Sequence, residues 1–175
     1  MNALSTALAD VPAPAAYLIL VAAVLAESVL LVGAFVPTLT LLLTAGALAR
    51  AGELDLLPVI AVVSGAVIAG DLLAHRTGSV LGVRLRTAGV GRRVPAATWQ
   101  RAERLMARRG GQALLLTRFV PVVRTLTPHL AGATGVPYRR IAPYSALVAP
   151  VWAAVEAGTG YTAATSLQHL LGQNI

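Results

Sequence analysis

Apolar side chains dominate several long stretches of the chain and leave few polar positions between them. The aliphatic stretches are Ala15–Ala26, Leu39–Leu48, Leu56–Leu73, Ala113–Leu116 and Ala142–Val155. Segment Leu56–Leu73 alone is long enough to cross roughly 30 Å of hydrocarbon at about 1.5 Å per helical residue. The pattern therefore predicts an all-α polytopic membrane protein, in which the bilayer is the solvent for most of the chain.

Two of the apolar stretches are interrupted in the same way. The triplets Phe35-Val36-Pro37 and Phe119-Val120-Pro121 are each followed by Ala-Gly-Ala, at residues 45–47 and 131–133. Proline lacks a backbone donor and clashes with the preceding turn, so we expect breaks at Pro37 and Pro121. Similarly broken segments in two halves of a chain indicate inverted repeats with a site between them.

The lengths of the broken segments favour re-entrant helical hairpins over full crossings. As a helix, Thr38 to Ala49 would rise only about 18 Å, roughly half of the hydrocarbon thickness. We therefore expect two inverted re-entrant hairpins, the first opening outward and the second inward. The alternative is that Pro37 and Pro121 are kinks in ordinary spanning helices.

These elements are expected to form a single membrane domain over residues 1–175. The predicted parts are a first hairpin unit at 12–50, a transmembrane helix at 56–75, an Arg-rich loop with an interfacial amphipathic helix at 84–110, a second hairpin at 111–137 and a transmembrane helix at 141–162. In the interfacial helix, Trp99 and Met106 share one side and Arg101 and Arg108 another, so we expect it to lie on the inner leaflet.

Composition and charge narrow the function classes. Hydrophobic residues make up 57% of the chain and charged residues only 12%, against about 25% in an ordinary soluble domain. There is no cysteine, which excludes disulfides, thiolate nucleophiles and Cys-ligated zinc. All fourteen basic residues are arginine, and nine fall between Arg76 and Arg109. Because apolar segments flank this run, it indicates a cytoplasmic loop at an anionic leaflet and argues against nucleic-acid binding.

Four charged residues lie within or at the edge of apolar segments. A charge at the bilayer centre costs at least roughly 2.5–3.5 kcal/mol, so Glu27, Asp71, Arg118 and Arg124 need partners or a function. Pro121 can turn both arginines toward one cavity, where planar guanidiniums suit a phosphate. The alternative is that the arginines pair with Asp71 and Glu27 to hold the hairpins together. The two interpretations are compatible, because an anionic headgroup can replace a carboxylate that becomes protonated.

Histidine chemistry has weaker support. Asp71 and His75 are four residues apart and share a helix face, a spacing that suits a proton relay or two metal ligands. His129 and His169 lie far away in sequence, and no further ligand cluster accompanies them, so we expect no metal and no cofactor. No nucleophile with a base accompanies His75 or His129, so we expect no catalytic residue.

These residues stand in a pattern that resembles the DedA family of membrane proteins, also called the VTT or SNARE-associated family. The resemblance covers roughly Glu27 to Trp152. It rests on Glu27 before Phe35-Val36-Pro37, Gly70-Asp71 followed by Gly78 and Gly82, Arg118-Phe119-Val120-Pro121-Val122-Val123-Arg124, Pro128 before Ala131-Gly132-Ala133, Pro137-Tyr138-Arg139, and Trp152.

The resemblance implies two facing re-entrant hairpins, a bacterial plasma membrane and a role in lipid traffic. Bacterial members are linked to returning undecaprenyl phosphate to the inner leaflet, and relatives elsewhere act as phospholipid scramblases. The family pattern assigns function to Glu27, Arg118 and Arg124, and to a second acid just after the first proline. This chain has Leu39 where that acid is usual.

The function expected from these observations is transport of an anionic lipid headgroup between leaflets, with Arg118 and Arg124 holding the phosphate. Moving a negative charge inward against 100 mV costs about 2.3 kcal/mol, so Glu27 or Asp71 is expected to carry a compensating proton. The alternatives are an uncoupled lipid scramblase, a membrane enzyme acting on lipid phosphates, and a scaffold. Whether the protein forms a homo-oligomer is left open.

Overall fold

The computed structural model describes residues 12–30, 38–87 and 121–172, together with Arg118 and the isolated positions 100, 104, 108, 112 and 115. Within these ranges the elements are helical, in agreement with the predicted all-α fold. In chain order they are α1 (Ala13–Leu30), α2 (Thr38–Ala51), α3 (Leu56–Thr87), α4 (Pro121–Ala133), a 3-10 helix (Tyr138–Arg140) and α5 (Ala142–Gly172).

Both long helices exceed their predicted bounds. The predicted helix at 56–75 continues to Thr87 in α3, and the one at 141–162 continues to Gly172 in α5. The polar residues beyond the apolar stretches do not end the helices, because residues such as Arg and Ser are tolerated in helix interiors. Among the described residues, Leu56–Gly82 is the helix both long and apolar enough to cross a membrane.

The two short helices end in the same way. Gly52 follows α2 with φ +86°, and Gly135 follows the last turn of α4 with φ +75°, a region that favours glycine. In each case the glycine amide and the one after it close a Schellman motif. Gly52 N–H donates to Ala49 O at 3.3 Å and Glu53 N–H to Leu48 O at 3.0 Å; Gly135 N–H donates to Gly132 O at 3.1 Å and Val136 N–H to Ala131 O at 3.0 Å. These turns let each short helix run directly into a long one.

Each short helix packs against the long helix of the other half of the chain. Helix α2 lies on α5, and α4 lies on α3. A Cβ on Gly46 would collide with the backbone of Ala157, and one on Gly132 would collide with the backbone of His75. The long helices also have glycines at these contacts: a Cβ on Gly160 would collide with the backbone of Leu43, and one on Gly78 would collide with the backbone of His129. The contact positions of the two short helices are 86 residues apart, as in Gly46 and Gly132. Those of the two long helices are 82 residues apart, as in Gly78 and Gly160.

Helix α1 packs mainly on α3 and only lightly on α2. At the crossing, a Cβ on Gly70 would come within 2.7 Å of Ser28 Cβ. Leu20, Val24, Val63 and Val67 are buried in the core that α1 and α3 share with α2 and α5. Within the predicted first hairpin unit at 12–50, α1 and α2 therefore contact each other less than α1 contacts α3.

The outside of the bundle carries large apolar side chains. Leu57, Val80 and Leu18 are 79%, 74% and 69% exposed, and further exposed leucines and valines lie on α2, α4 and α5. An apolar exterior of this extent is what a lipid solvent allows. Most of the predicted Arg-rich loop and interfacial helix at 84–110 lies outside the described residues; Gln100, Arg104 and Arg108 within it are helical and exposed.

Candidate functional site

Charged side chains gather inside the bundle where α1, α3, α4 and α5 meet. Glu27 comes from α1, Asp71 from α3, Arg124 from α4, and Arg118 from a turn just before α4. All four are 7% exposed or less. The sequence predicted each of them as a site residue, and the structure brings all four together.

Arg124 is bound to Glu27 and Thr38. Its Nε and Nη2 donate to Glu27 Oε1 at 3.0 and 2.5 Å, and Nη2 also lies 2.8 Å from Thr38 Oγ1. The Thr38 hydroxyl in turn donates a short hydrogen bond to Glu27 Oε2. This triangle joins the first residue of α2 to α1 and α4, and it satisfies both oxygens of Glu27.

Arg118 forms a second pair with Asp71. Its Nη1 donates to Asp71 Oδ1 and Oδ2 at 3.2 and 3.4 Å, and Ser145 Oγ donates to Asp71 Oδ2 at 2.5 Å. The Nε of Arg118 is buried and has no hydrogen-bond partner among the described residues. The alternative considered from sequence, in which Arg118 pairs with Asp71 and Arg124 with Glu27, is therefore the arrangement in this structure.

Trp152 connects the two ion pairs. The Cζ atoms of Arg118 and Arg124 lie 5.0 and 4.8 Å from the centroid of its ring. A cation over an indole gains on the order of 2 kcal/mol where water is excluded, and Trp152 is 2% exposed. The ring therefore stabilises both guanidiniums through its π system.

Glu156 is a third acid of the cluster, one helical turn after Trp152 on α5. Its Oε1 lies 3.6 Å from Arg124 Nη1, and its Oε2 is buried without a hydrogen-bond partner in the described part of the chain. Glu156 is not among the residues predicted from sequence, because the apolar stretch Ala142–Val155 ends one residue before it. Its signal was available: an isolated acid in the apolar surroundings of α5, where charge is costly.

The predicted proton-relay residue His75 faces away from this chemistry. Its Nε2 donates to Val136 O at 2.7 Å, and its ring meets Tyr138 edge-on at 5.4 Å between centroids. The pKa of Tyr138 is raised by burial and by the charge of Asp71, so its hydroxyl stays neutral and donates to Ile68 O. His75 thus anchors the turn after α4.

His129 is the histidine with an unused nitrogen. Its Nδ1 lies 2.8 Å from Thr125 O, and its Nε2 is buried without a hydrogen-bond partner in the ranges described. Within those ranges, His, Asp and Glu side chains form no group of three that could hold a metal ion.

A cleft opens onto the ionic cluster, with room for about one water molecule between the charged side chains. Its lining combines charged and apolar groups from four helices: Val24, Glu27, Ser28, Asp71, Ala74, Arg118, Arg124, Thr125, Pro128 and Trp152. Because the ion pairs fill the interior, a headgroup can contact the arginines only if a carboxylate moves aside.

Of the two prolines at predicted helix breaks, Pro121 lies within the described residues and Pro37 does not. Helix α4 begins at Pro121, a position where proline's missing donor costs nothing, and Arg118 lies in a turn three residues earlier. Pro37 lies outside the described residues, and α2 begins at the next residue, Thr38. Leu39, which stands where the family usually has an acid, is 50% exposed and does not face the cluster.

A helical bundle with an apolar exterior and buried ion pairs defines an all-helical membrane protein. Comparison with known families specifies which one: the VTT domain matches residues 36–162, and the chain belongs to the DedA family.

The curated relatives agree with this assignment. The chain is 37% identical over 145 residues to the inner membrane protein YghB of Escherichia coli (strain K12), 30% identical over 147 residues to Protein DedA, and 30% identical over 145 residues to the inner membrane protein YqjA of the same strain. Each alignment covers 83% of this chain and 66–67% of the relative, so the chain spans about two thirds of their length. No solved structure matches.

Proposed function

We propose that this chain moves the phosphate headgroup of an anionic lipid between the leaflets of a bacterial inner membrane. The observation that carries the proposal is the pair of arginines, Arg118 and Arg124, which are both buried and both lie over the ring of Trp152 in an apolar bundle. Lipid phosphates are abundant anions at the membrane surface, and the acyl or prenyl chain can remain in the bilayer while the headgroup enters the protein.

Arginine suits this role better than any other residue. Its planar fork donates to two oxygens of a phosphate at once and keeps its charge at every physiological pH. The Nε of Arg118 has no hydrogen-bond partner among the described residues, so one donor is already available. Removing one partner from a buried ion pair costs about 3–5 kcal/mol, which an incoming phosphate would offset by taking the place of the departing carboxylate.

Alternating access would come from the two matched helix pairs. We propose that α2 and α4, with the segments before them, are the inner limbs of re-entrant hairpins that open to opposite faces of the membrane. The proposal is supported by their lengths of 14 and 13 residues and by their equivalent packing on α5 and α3. A multi-pass chain of this kind would keep the Arg-rich loop in the cytoplasm.

Transport is tested by reconstituting the protein into liposomes and following leaflet exchange of fluorescent phosphatidylglycerol and of a polyprenyl phosphate, with and without a proton gradient. Arg118→Ala and Arg124→Ala should abolish exchange. Arg139→Ala is the matched control, because Arg139 is exposed on the 3-10 helix. Exchange that is unchanged in both cluster variants would contradict the proposal.

The same assay separates the alternative functions. Gradient-independent exchange that accepts phosphatidylcholine equally well would assign an uncoupled scramblase. Release of inorganic phosphate from the lipid would assign an enzyme.

A further inference from the structure

The ionic cluster contains more negative than positive groups. Arg118 and Arg124 are each matched by one acid, Asp71 and Glu27, and Glu156 is left as a third carboxylate. If all five groups are ionised, the cluster carries a net charge of −1. An anionic headgroup would make this excess worse, so phosphate binding requires one carboxylate to be neutral.

The contacts indicate which carboxylate that is. Glu27 accepts hydrogen bonds from Arg124 and Thr38 on both oxygens, and Asp71 accepts them from Arg118 and Ser145. Glu156 interacts with the side chain of Trp152 and has a contact of 3.6 Å with Arg124, longer than a hydrogen bond, and its Oε2 has no partner within the described ranges. Its ionised form is therefore the least stabilised of the three.

The same comparison identifies the weakest position around Arg124. Nε and Nη2 hold Glu27 and Thr38 at hydrogen-bond distance, whereas among the described residues Nη1 has the long contact to Glu156 alone. The Nη1 edge is thus the part of the guanidinium that a phosphate oxygen can take without breaking the Arg124–Glu27 pair.

Charges from each neighbouring element bear on Glu156. Arg124 on α4 and Arg118 before it favour the ionised form, and Glu27 on α1 disfavours it. Asp71 of α3 is the other acid of the cluster. The charged residue of α2, Arg50, lies over the Tyr161 ring, farther along α5. The Glu156 side chain is 13% exposed, more than those of Glu27 and Asp71, so protons reach it more easily.

We propose that Glu156 is an internal competitor for the lipid phosphate. Its carboxylate occupies the Nη1 edge of Arg124 when ionised and releases it on protonation, so that binding one headgroup takes up one proton at Glu156. This inference rests on the proposed function, because it assigns the competing group at the same arginine. It also gives the chain a proton-carrying acid despite Leu39.

The test measures binding of a short-chain phosphatidylglycerol in detergent, because the charge of its phosphodiester does not change over the pH range used. The chain has two tryptophans, so a Trp99→Phe background leaves Trp152, within the cluster, as the single fluorescent reporter. Dissociation constants are compared at about pH 6 and about pH 8 for this background and with Glu156→Gln added. Glu53→Gln, in the exposed turn before α3, is the control, and Arg124→Ala defines non-specific binding.

With Glu156 present, binding should weaken by up to about tenfold per pH unit as the pH rises, the limit for uptake of one proton. Glu156→Gln should bind at about pH 8 as tightly as the background does at about pH 6, and Glu53→Gln should behave like the background. Proton uptake is measured independently, with a pH indicator in weak buffer, and should approach one proton per lipid.

The possible outcomes distinguish the role of Glu156 from the proposed phosphate site on which it depends. Binding that requires Arg124 but has the same pH dependence with and without Glu156, or no proton uptake in the unsubstituted chain, contradicts the role of Glu156 and leaves the phosphate site intact. Binding that is unaffected by Arg124→Ala contradicts the phosphate site itself. If Glu156→Gln does not fold, an absence of proton uptake in the unsubstituted chain still contradicts the role of Glu156.

Discussion

At the scale of single residues, Arg124 is the group on which the cluster converges. It contacts Glu27, Thr38, Trp152 and Glu156, which come from three different helices. A lysine ammonium offers a point charge and cannot reproduce two parallel donors and the stacking on Trp152 at the same time. The shape of the guanidinium matters here as much as its charge.

Arg124→Lys should therefore lose most lipid exchange although the charge is kept, and Arg124→Ala should lose at least as much. The measurement is leaflet exchange in liposomes, after gel filtration has confirmed that each variant is folded. Near-normal exchange in Arg124→Lys would show that fork geometry is not required.

The double variant Arg124→Ala with Glu27→Gln distinguishes phosphate binding from charge neutralisation. If Arg124 only neutralises Glu27, removing both charges should restore exchange, since no unpaired charge is left. If it binds phosphate, the double variant should stay inactive while its thermal stability recovers. Full recovery of exchange would refute the role of Arg124 as a headgroup ligand.

Thr38 provides a stability prediction at this scale. Thr38→Val keeps the shape of the side chain but removes the hydroxyl that joins Glu27 to Arg124, and we expect a loss of about 1 kcal/mol. Thr159→Val is the matched control, because the hydroxyl of Thr159 is exposed and bonds only its own helix. Equal melting temperatures for the two variants would contradict this role of Thr38.

The residues of the cluster could be predicted from sequence to different degrees. Glu27, Asp71, Arg118 and Arg124 were found because charge is rare and costly in apolar segments. Glu156 obeys the same rule and was missed by the choice of a segment end. The contacts of His75 with Val136 and Tyr138 could not be predicted, because they join residues about 60 positions apart.

At the scale of helices, close packing depends on glycines whose partners lie in the other half of the chain. Gly160→Ala should lower the melting temperature in detergent, because the new Cβ collides with Leu43 and α2 must move away. Gly158→Ala, on the same helix with open space around it, should be neutral or slightly stabilising, since alanine is the better helix former. Equal effects of the two changes would argue against close contact between α2 and α5.

Part of this helix arrangement could be predicted from the sequence. The repeated Phe-Val-Pro motif precedes two short helices, α2 and α4, which begin at Thr38 and Pro121, although Pro37 itself lies outside the described residues. Which long helix each would contact could not be deduced, because the periodicity of a single helix does not identify its partner. The role of the glycines on α3 and α5, which is to allow close contact with a short helix, can be recognised only when the helix pairs are known.

At the scale of the whole molecule, we predict that α3 crosses the membrane and separates its two faces, since it is long and apolar enough to do so. We predict that a cysteine at Glu53 reacts with an impermeant maleimide from outside the cell and that one at Thr87 is protected until the membrane is opened. The natural chain has no cysteine, so each variant carries a single reactive site. Labelling of both positions from the same side would rule out α3 as a crossing and, with it, the inverted arrangement of the hairpins.

The exchanged packing of α2 and α4 also sets an order of events during synthesis. Gly46 is made 111 residues before Ala157, against which it packs, and at about 5–20 residues per second this is a delay of roughly 6–22 s. Throughout that interval α2 is in the membrane with its glycine face uncovered. The nascent protein must therefore be kept from pairing with a neighbouring chain, and two copies that mature side by side can trade their short helices.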